Sequence, residues 1–167
     1  MKYTHVKSAM VAAAVLAIAL LSVPNAAFAA TTTATMNVSA TVVNNCTVSA
    51  NPLSFGQYSG TALNVSTTIS VTCNTGDSYS VGLNAGGGSG ATVSNRLMTL
   101  SSGSATLAYS LLSGSYSGTN WGNASGSWVT GTGNGSAQTL TVYGVVAGGL
   151  YPTAGSYADS VTVTLTY

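Results

Sequence analysis

Charge is what this chain of 167 residues has least of: three Lys or Arg, two Asp or Glu and a single His. Lys2, Lys7 and His5 all lie near the start, so from Ala30 onward the only charged side chains are Arg96, Asp77 and Asp159, with no Lys, Glu or His. These absences exclude most chemistry. A serine nucleophile needs a His or Lys to take its proton, and neither is present. Glycoside hydrolysis needs two carboxylates facing one bond; Asp77 and Asp159 are the only pair, and they occupy turn and strand-start positions where Asp is structurally expected. The glycine runs GGGSG (residues 86–90) and GTGNG (residues 131–135) open no helix and carry no lysine, so they read as turns rather than phosphate loops. Two sulfurs without His or Glu cannot complete a metal site. The expectation is a protein that is not an enzyme and needs no metal or cofactor. With no basic patch, nucleic acid and anionic membranes are excluded as partners.

Lys2 and Lys7 precede an apolar run over residues 10–23, closed by Pro24 and the small-residue site Ala27-Phe28-Ala29. This is the pattern of a secretory signal over residues 1–29, and the run is shorter than the roughly 20 residues of a membrane span. Removal leaves 167 − 29 = 138 residues, enough for one domain with one core. Ser, Thr, Asn, Gln and Gly supply the polarity of that domain, giving a hydrogen-bonding but nearly neutral surface, which favours association over dispersal. Cys46 and Cys73 are the only thiols of an exported chain, and one disulfide between them is predicted.

Short apolar-polar alternations separated by Gly, Ser and Asn turns predict an all-β sandwich or barrel. Residues 64–73 and 78–84, with the turn Asn74-Thr75-Gly76-Asp77 between them, read as one hairpin, and residues 96–100 and 105–112 as a second. Residues 113–135 read as loop or irregular strand; 138–147 and 159–167 read as strong strands, the latter placing Val161, Val163, Leu165 and Tyr167 on one face. An outer-membrane barrel also ends in an alternating strand with a terminal aromatic, but most strands here are shorter than the roughly 9–11 residues a barrel span needs. Tyr116, Trp121 and Trp128, with Tyr109, offer aromatic faces of the kind that stack on neutral sugars, or that fill a small core.

In front of the domain, residues 34–42 (ATMNVSATV) place Ala34, Met36, Val38, Ala40 and Val42 on one face and Thr35, Asn37, Ser39 and Thr41 on the other. Such a strand needs a sheet to join, and no local neighbour is evident.

The ordered set NNCTV, LSFGQYSG, ISVTCNTGDSYSVGLNAG, NRLMTL, LAYSLL, NWG, GTGNG, TLTVYGVV and AGSYADSVTVTLTY resembles the spore coat protein U domain, and through it subunits of archaic chaperone-usher pili. The penultimate tyrosine of the other branch of such pili is missing, Tyr167 being last. The resemblance implies an incomplete immunoglobulin-like β-sandwich over residues 45–167, completed by the N-terminal segment (residues 30–44) of a neighbouring subunit. It implies that Val161, Val163, Leu165 and Tyr167 form the terminal strand facing the acceptor groove and a chaperone. It also implies a set of partners: identical or related pilin subunits, a periplasmic chaperone and an outer-membrane usher, on a route from the periplasm to the cell surface, with adhesion and biofilm formation as the role. The receptor is left open, with a neutral glycan and an abiotic surface as the candidates. The other readings are a single-domain secreted adhesin binding glycan through Tyr116, Trp121 and Trp128, and a spore or cell coat protein of the same fold.

Overall fold

Ten strands follow one another without an intervening helix in the computed structural model, which describes residues 28–167. Most of the predicted signal falls outside the described residues. The chain divides into two units, Met1–Ala40 and Thr41–Tyr167. In the first, residues 28–40 are exposed and belong to no strand.

The second unit holds the strands β1 (Cys46–Ala50), β2 (Leu63–Cys73), β3 (Ser78–Leu83), β4 (Arg96–Leu100), β5 (Thr106–Ser113), β6 (Thr119–Asn120), β7 (Val129–Thr132), β8 (Gln138–Val146), β9 (Tyr157–Ala158) and β10 (Val163–Thr166). They form two antiparallel sheets. The larger runs β1-β2-β8-β5-β4-β9 with β6 beside β5, and the smaller runs β10-β3-β7. Period-two alternation explains which face each strand buries. On β2, Ile69, Val71 and Cys73 point inward and are buried, while Asn64 and Ser66 face out. On β3, Tyr79, Val81 and Leu83 do the same from the opposite wall.

The predicted hairpin of residues 96–112 is present, β4 pairing β5 from Arg96↔Tyr109 to Thr99↔Thr106. The predicted hairpin of residues 64–84 is not. β2 pairs with β1 and β8 in the larger sheet, β3 with β10 and β7 in the smaller one, so the turn at Asn74 crosses between sheets. Both strands have a largely apolar inner face, Thr67 of β2 being the polar exception, and each serves an opposite wall of the same core. The stretch read as loop contains β6 and β7, and the final strand is shorter than read, starting at Val163. Cys46 and Cys73 are bonded, sitting directly opposite each other in the β1–β2 ladder.

Two side chains bolt the sheets together. Arg96, on β4 of the larger sheet, is completely buried. Its guanidinium donates to the carbonyls of Asn84 (2.9 Å) and Val93 (2.9 Å), and to those of Leu83 (3.1 Å) and Trp121 (2.7 Å), reaching the end of β3 in the smaller sheet. Trp121 is 1% exposed; its backbone N–H donates to Leu111 of β5 and its indole Nε1 to the Val81 carbonyl of β3 at 2.8 Å. A buried charge is tolerated because four of its five N–H donors are occupied. Burial lowers the Arg96 pKa, and the neighbouring Tyr109 and Asp159 oppose that.

Arg96→Met keeps an unbranched apolar stem but lacks the guanidinium and leaves these carbonyls without its donors. Urea unfolding followed by tryptophan fluorescence should show a loss of at least about 3 kcal/mol, given roughly 1–3 kcal/mol for each buried group left unsatisfied. A loss below about 1 kcal/mol, within the range of an ordinary surface substitution, would show that the sheets are held by packing alone.

Candidate functional site

The two sheets do not close over each other along their full length. Between them lies a groove of about 1150 Å³, at or above the upper end of the roughly 300–1,000 Å³ typical of small-molecule sites. Its floor is the inner face of the larger sheet, with Leu63 and Ile69 of β2, Leu107 and Leu111 of β5, and Val142 and Val146 of β8; Leu83 of β3 faces them. Closed cores pack to crystal-like density; this one is open along one side.

The lips of the groove explain what it can take. One lip is the segment after β1, residues 53–58, held by its side chains rather than its backbone. Leu53 and Phe55 pack on the core, Phe55 edge-on to Tyr109 with ring centroids 5.9 Å apart. The Tyr58 hydroxyl donates to the Ala147 carbonyl (2.7 Å) and accepts from the Leu150 N–H (3.0 Å). Just upstream, the inward-facing Thr67 hydroxyl lies 3.2 Å from the Asn51 carbonyl and 3.0 Å from that of Pro52. Gly144 on β8 makes the approach feasible, since a Cβ there would stand 2.8 Å from Leu53 Cδ1. Among the described residues, the backbone groups of residues 53–58 make no hydrogen bond to other backbone.

The other lip leads into β10. That strand pairs with β3, Val163↔Leu83 through Thr166↔Ser80, and with no other strand among the described residues, so its second edge is open. Val161 and Val163 line the groove, and Leu165 is half-buried against the same core. Tyr167, expected on this face, lies beyond the end of β10 and is 56% exposed. An apolar trough between two backbone edges with free N–H and C=O groups is shaped for an added strand, whose main chain would satisfy the edges and whose alternate side chains would fill the floor.

A polar cluster lies in the same groove. The Tyr109 hydroxyl donates to Asp159 Oδ2 at 2.6 Å, and Asp159 Oδ1 accepts from the backbone of Gly87 and Ser160, each at 2.7 Å. Burial, then the bond to Asp159 and its charge, push the Tyr109 pKa well up, with nearby Arg96 pulling weakly the other way.

Residues 34–42 belong to no strand; Met36, Val38 and Val42 are each more than four-fifths exposed, and Ala34 and Ala40 are exposed too. The three aromatics read as a sugar platform are not brought together. Trp121 is a core residue that spends its indole N–H on β3, and it is withdrawn from any surface role. Tyr116 stacks edge-on against Tyr143 of the larger sheet at 5.0 Å, whereas Trp128 borders a shallow notch with Gly82, Asn123, Thr164 and Thr166 on the smaller sheet. The lip residues Leu53, Phe55 and Tyr58 went unread as a site; the period-two pair Leu53 and Phe55 was the available signal, cut short by Gly56. Arg96 was equally findable as the one cation of residues 30–167.

Fold and groove together define an immunoglobulin-like all-β sandwich that is one strand short. The chain belongs to the Spore Coat Protein U domain family, whose model matches residues 32–164. Its fold is similar to that in the crystal structure of the CsuC-CsuE chaperone-tip adhesion subunit pre-assembly complex from the archaic chaperone-usher Csu pili of Acinetobacter baumannii. That similarity has a TM-score of 0.60 and 24% identity, and it covers 76% of this chain and 41% of the other, so this chain spans under half the length of its structural relative. No curated protein matches the chain.

Tyr109 supplies a pH test of the groove. Its folded pKa is raised above the ordinary value of 10.0, so the stability it lends is fully present below about pH 10 and is lost as pH climbs from there towards the folded value. The midpoint of urea unfolding should therefore fall above about pH 10, and Tyr109→Phe should flatten that fall while leaving the profile from pH 6 to 9 unchanged in shape. Equal alkaline slopes in both proteins would show that neither the burial of Tyr109 nor its bond to Asp159 bears on alkaline stability.

Proposed function

We propose that the protein is a structural subunit of a cell-surface fibre assembled by donor-strand exchange, in which residues 34–42 of one copy fill the groove of the next. The observation that carries this reading is the groove with two unbonded lips, in a chain that also holds an unpaired strand-like segment. Ala34, Met36, Val38, Ala40 and Val42 are the side chains that would descend onto the floor, while Val161, Val163 and Leu165 would flank them from β10. Those five residues offer about 5–9 kcal/mol of apolar burial, at roughly 1.5–3 kcal/mol for each larger side chain and less for Ala. Nine residues at about 3.3 Å each reach roughly 30 Å, the length of a small domain.

An open groove of this kind would pair with any exposed strand, so it needs a guardian during export. A periplasmic chaperone that lends a strand, and an outer-membrane usher that exchanges it for the incoming subunit, fit this need. The relative of similar fold was captured with its chaperone, which supports the first of these. The leader over residues 1–29 supports export to the periplasm, with the fibre then displayed outside the cell. Adhesion and biofilm formation follow from a neutral, hydroxyl-rich surface presented in many copies, towards a neutral glycan or an abiotic surface. Strand exchange would equally build a spore or cell coat, the reading favoured by the family's own description.

Gel electrophoresis of surface material in SDS, with and without boiling, tests the reading. The expected result is a ladder spaced by one subunit that collapses to monomer on heating. Val38→Asp and Met36→Asp should each abolish the ladder while leaving chaperone-bound monomer, because an unpaired charge on the groove floor costs several kcal/mol. Normal ladders from both variants would overturn the assignment of residues 34–42 as the donor.

A further inference from the structure

The root of the leading segment is held more firmly than a flexible tether requires. The carbonyl of Asn45, just before β1, accepts a hydrogen bond from the backbone N–H of Asn74 at 3.2 Å, which extends the β1–β2 ladder beyond the disulfide. Two residues earlier, the Val43 carbonyl accepts from Asn74 Nδ2 at 2.9 Å. A single residue thus grips alternate carbonyls of one stretch. Asn74 is itself fixed. It follows the disulfide-bonded Cys73, its carbonyl accepts from the Asp77 N–H at 3.2 Å across a turn with Gly76 at φ 92°, and that turn is tied to the next loop through Gly76 N–H to Gly133 O (2.9 Å) and Gly133 N–H to Asp77 O (2.7 Å).

Position gives this grip its meaning. Groove lining begins at Ala50, the far end of β1 from Asn45, and Cys46 to Ser49 take no part in it. For a chain to fill its own groove, the backbone would have to reverse within residues 43–45 and return alongside β1 as a hairpin. Short reversals of this kind are sterically ordinary, and Asn44 and Asn45 are residues that suit them. Donation within one chain would also proceed at an effective concentration on the order of millimolar, ahead of most encounters between copies. What opposes it is that the Val43 and Asn45 carbonyls are already engaged in line with β1.

Resting on the strand-exchange reading above, we infer that Asn74 is a positioning residue that decides between donation to a second copy and donation to the chain's own groove. By clamping Val43 and Asn45 it denies the leading strand its hairpin and leaves the groove for another subunit.

Asn74→Asp preserves the side-chain shape but replaces the donating amide with an acceptor that repels the Val43 carbonyl. Wild type and variant are run unboiled in SDS and offered a fluorescent peptide of residues 34–42. Wild type should give the ladder. The variant should shift towards a compact, heat-sensitive monomer that refuses the peptide, with about a fivefold rise in the ratio of monomer to polymer, the worth of one hydrogen bond. A variant monomer that takes up the peptide, or that unfolds, would mark a purely structural role and overturn the inference, as would a ladder equal to wild type. Inserting two glycines between Val43 and Asn44, which leaves Asn74 and the core intact, should cause the same shift; an unchanged ladder there would also overturn it. If wild type itself gives no ladder and Val38→Asp behaves identically, strand exchange fails, and this inference with it.

Discussion

A sandwich that lacks a strand has to keep its two walls apart and together at once, and the buried guanidinium of Arg96 is what makes that arrangement sustainable here. Apolar packing between the sheets is reduced wherever the groove runs, so the remaining contact must be specific. Arg96 supplies specificity through directed bonds to carbonyls at the end of β3 and in the loop before β4. Trp121 repeats the device from the other side, bonding to β5 by its backbone and to β3 by its ring. Hydrogen bonds with fixed geometry hold a spacing, whereas hydrophobic contact alone favours collapse.

The groove is therefore a maintained opening. Leu53 and Phe55 anchor one lip by side chains alone, leaving its backbone free. β10 supplies the other lip by pairing on one edge only. At the opposite end of β1 the chain is gathered tightly by the disulfide, the turn at Asn74 and the loop around Gly133. Rigid root and open trough are complementary properties, and the strand exchange proposed above would need the two ends of the first strand to behave differently.

Much of this was legible in the residues, for identifiable reasons. Alternation over residues 64–73 and 138–147 announced β2 and β8, because the core demands period two from any half-buried strand. The disulfide followed from there being no competing thiol. The false hairpin arose because a four-residue turn between two alternating runs carries no information about which sheet each run joins; only the partners β1 and β8, far apart in sequence, decide it. The core place of Trp121, one of the two readings its sequence allows, is hidden for a related reason. A tryptophan among Gly, Ser and Asn looks like a loop residue, yet the indole is held inward by its bond to the Val81 carbonyl, a partner 40 positions away. Lip residues 53–58 lacked a sustained pattern since they are extended without being paired.

The complete burial of Arg96 has one more consequence, for how the folded domain meets enzymes and reagents. Arg96 is the only lysine or arginine among the described residues, and its surface is wholly withdrawn. Proteases that cut after basic residues would find no site to grip on the folded domain, and reagents that attack primary amines would find no lysine. The folded domain is thereby protected from both by its composition alone.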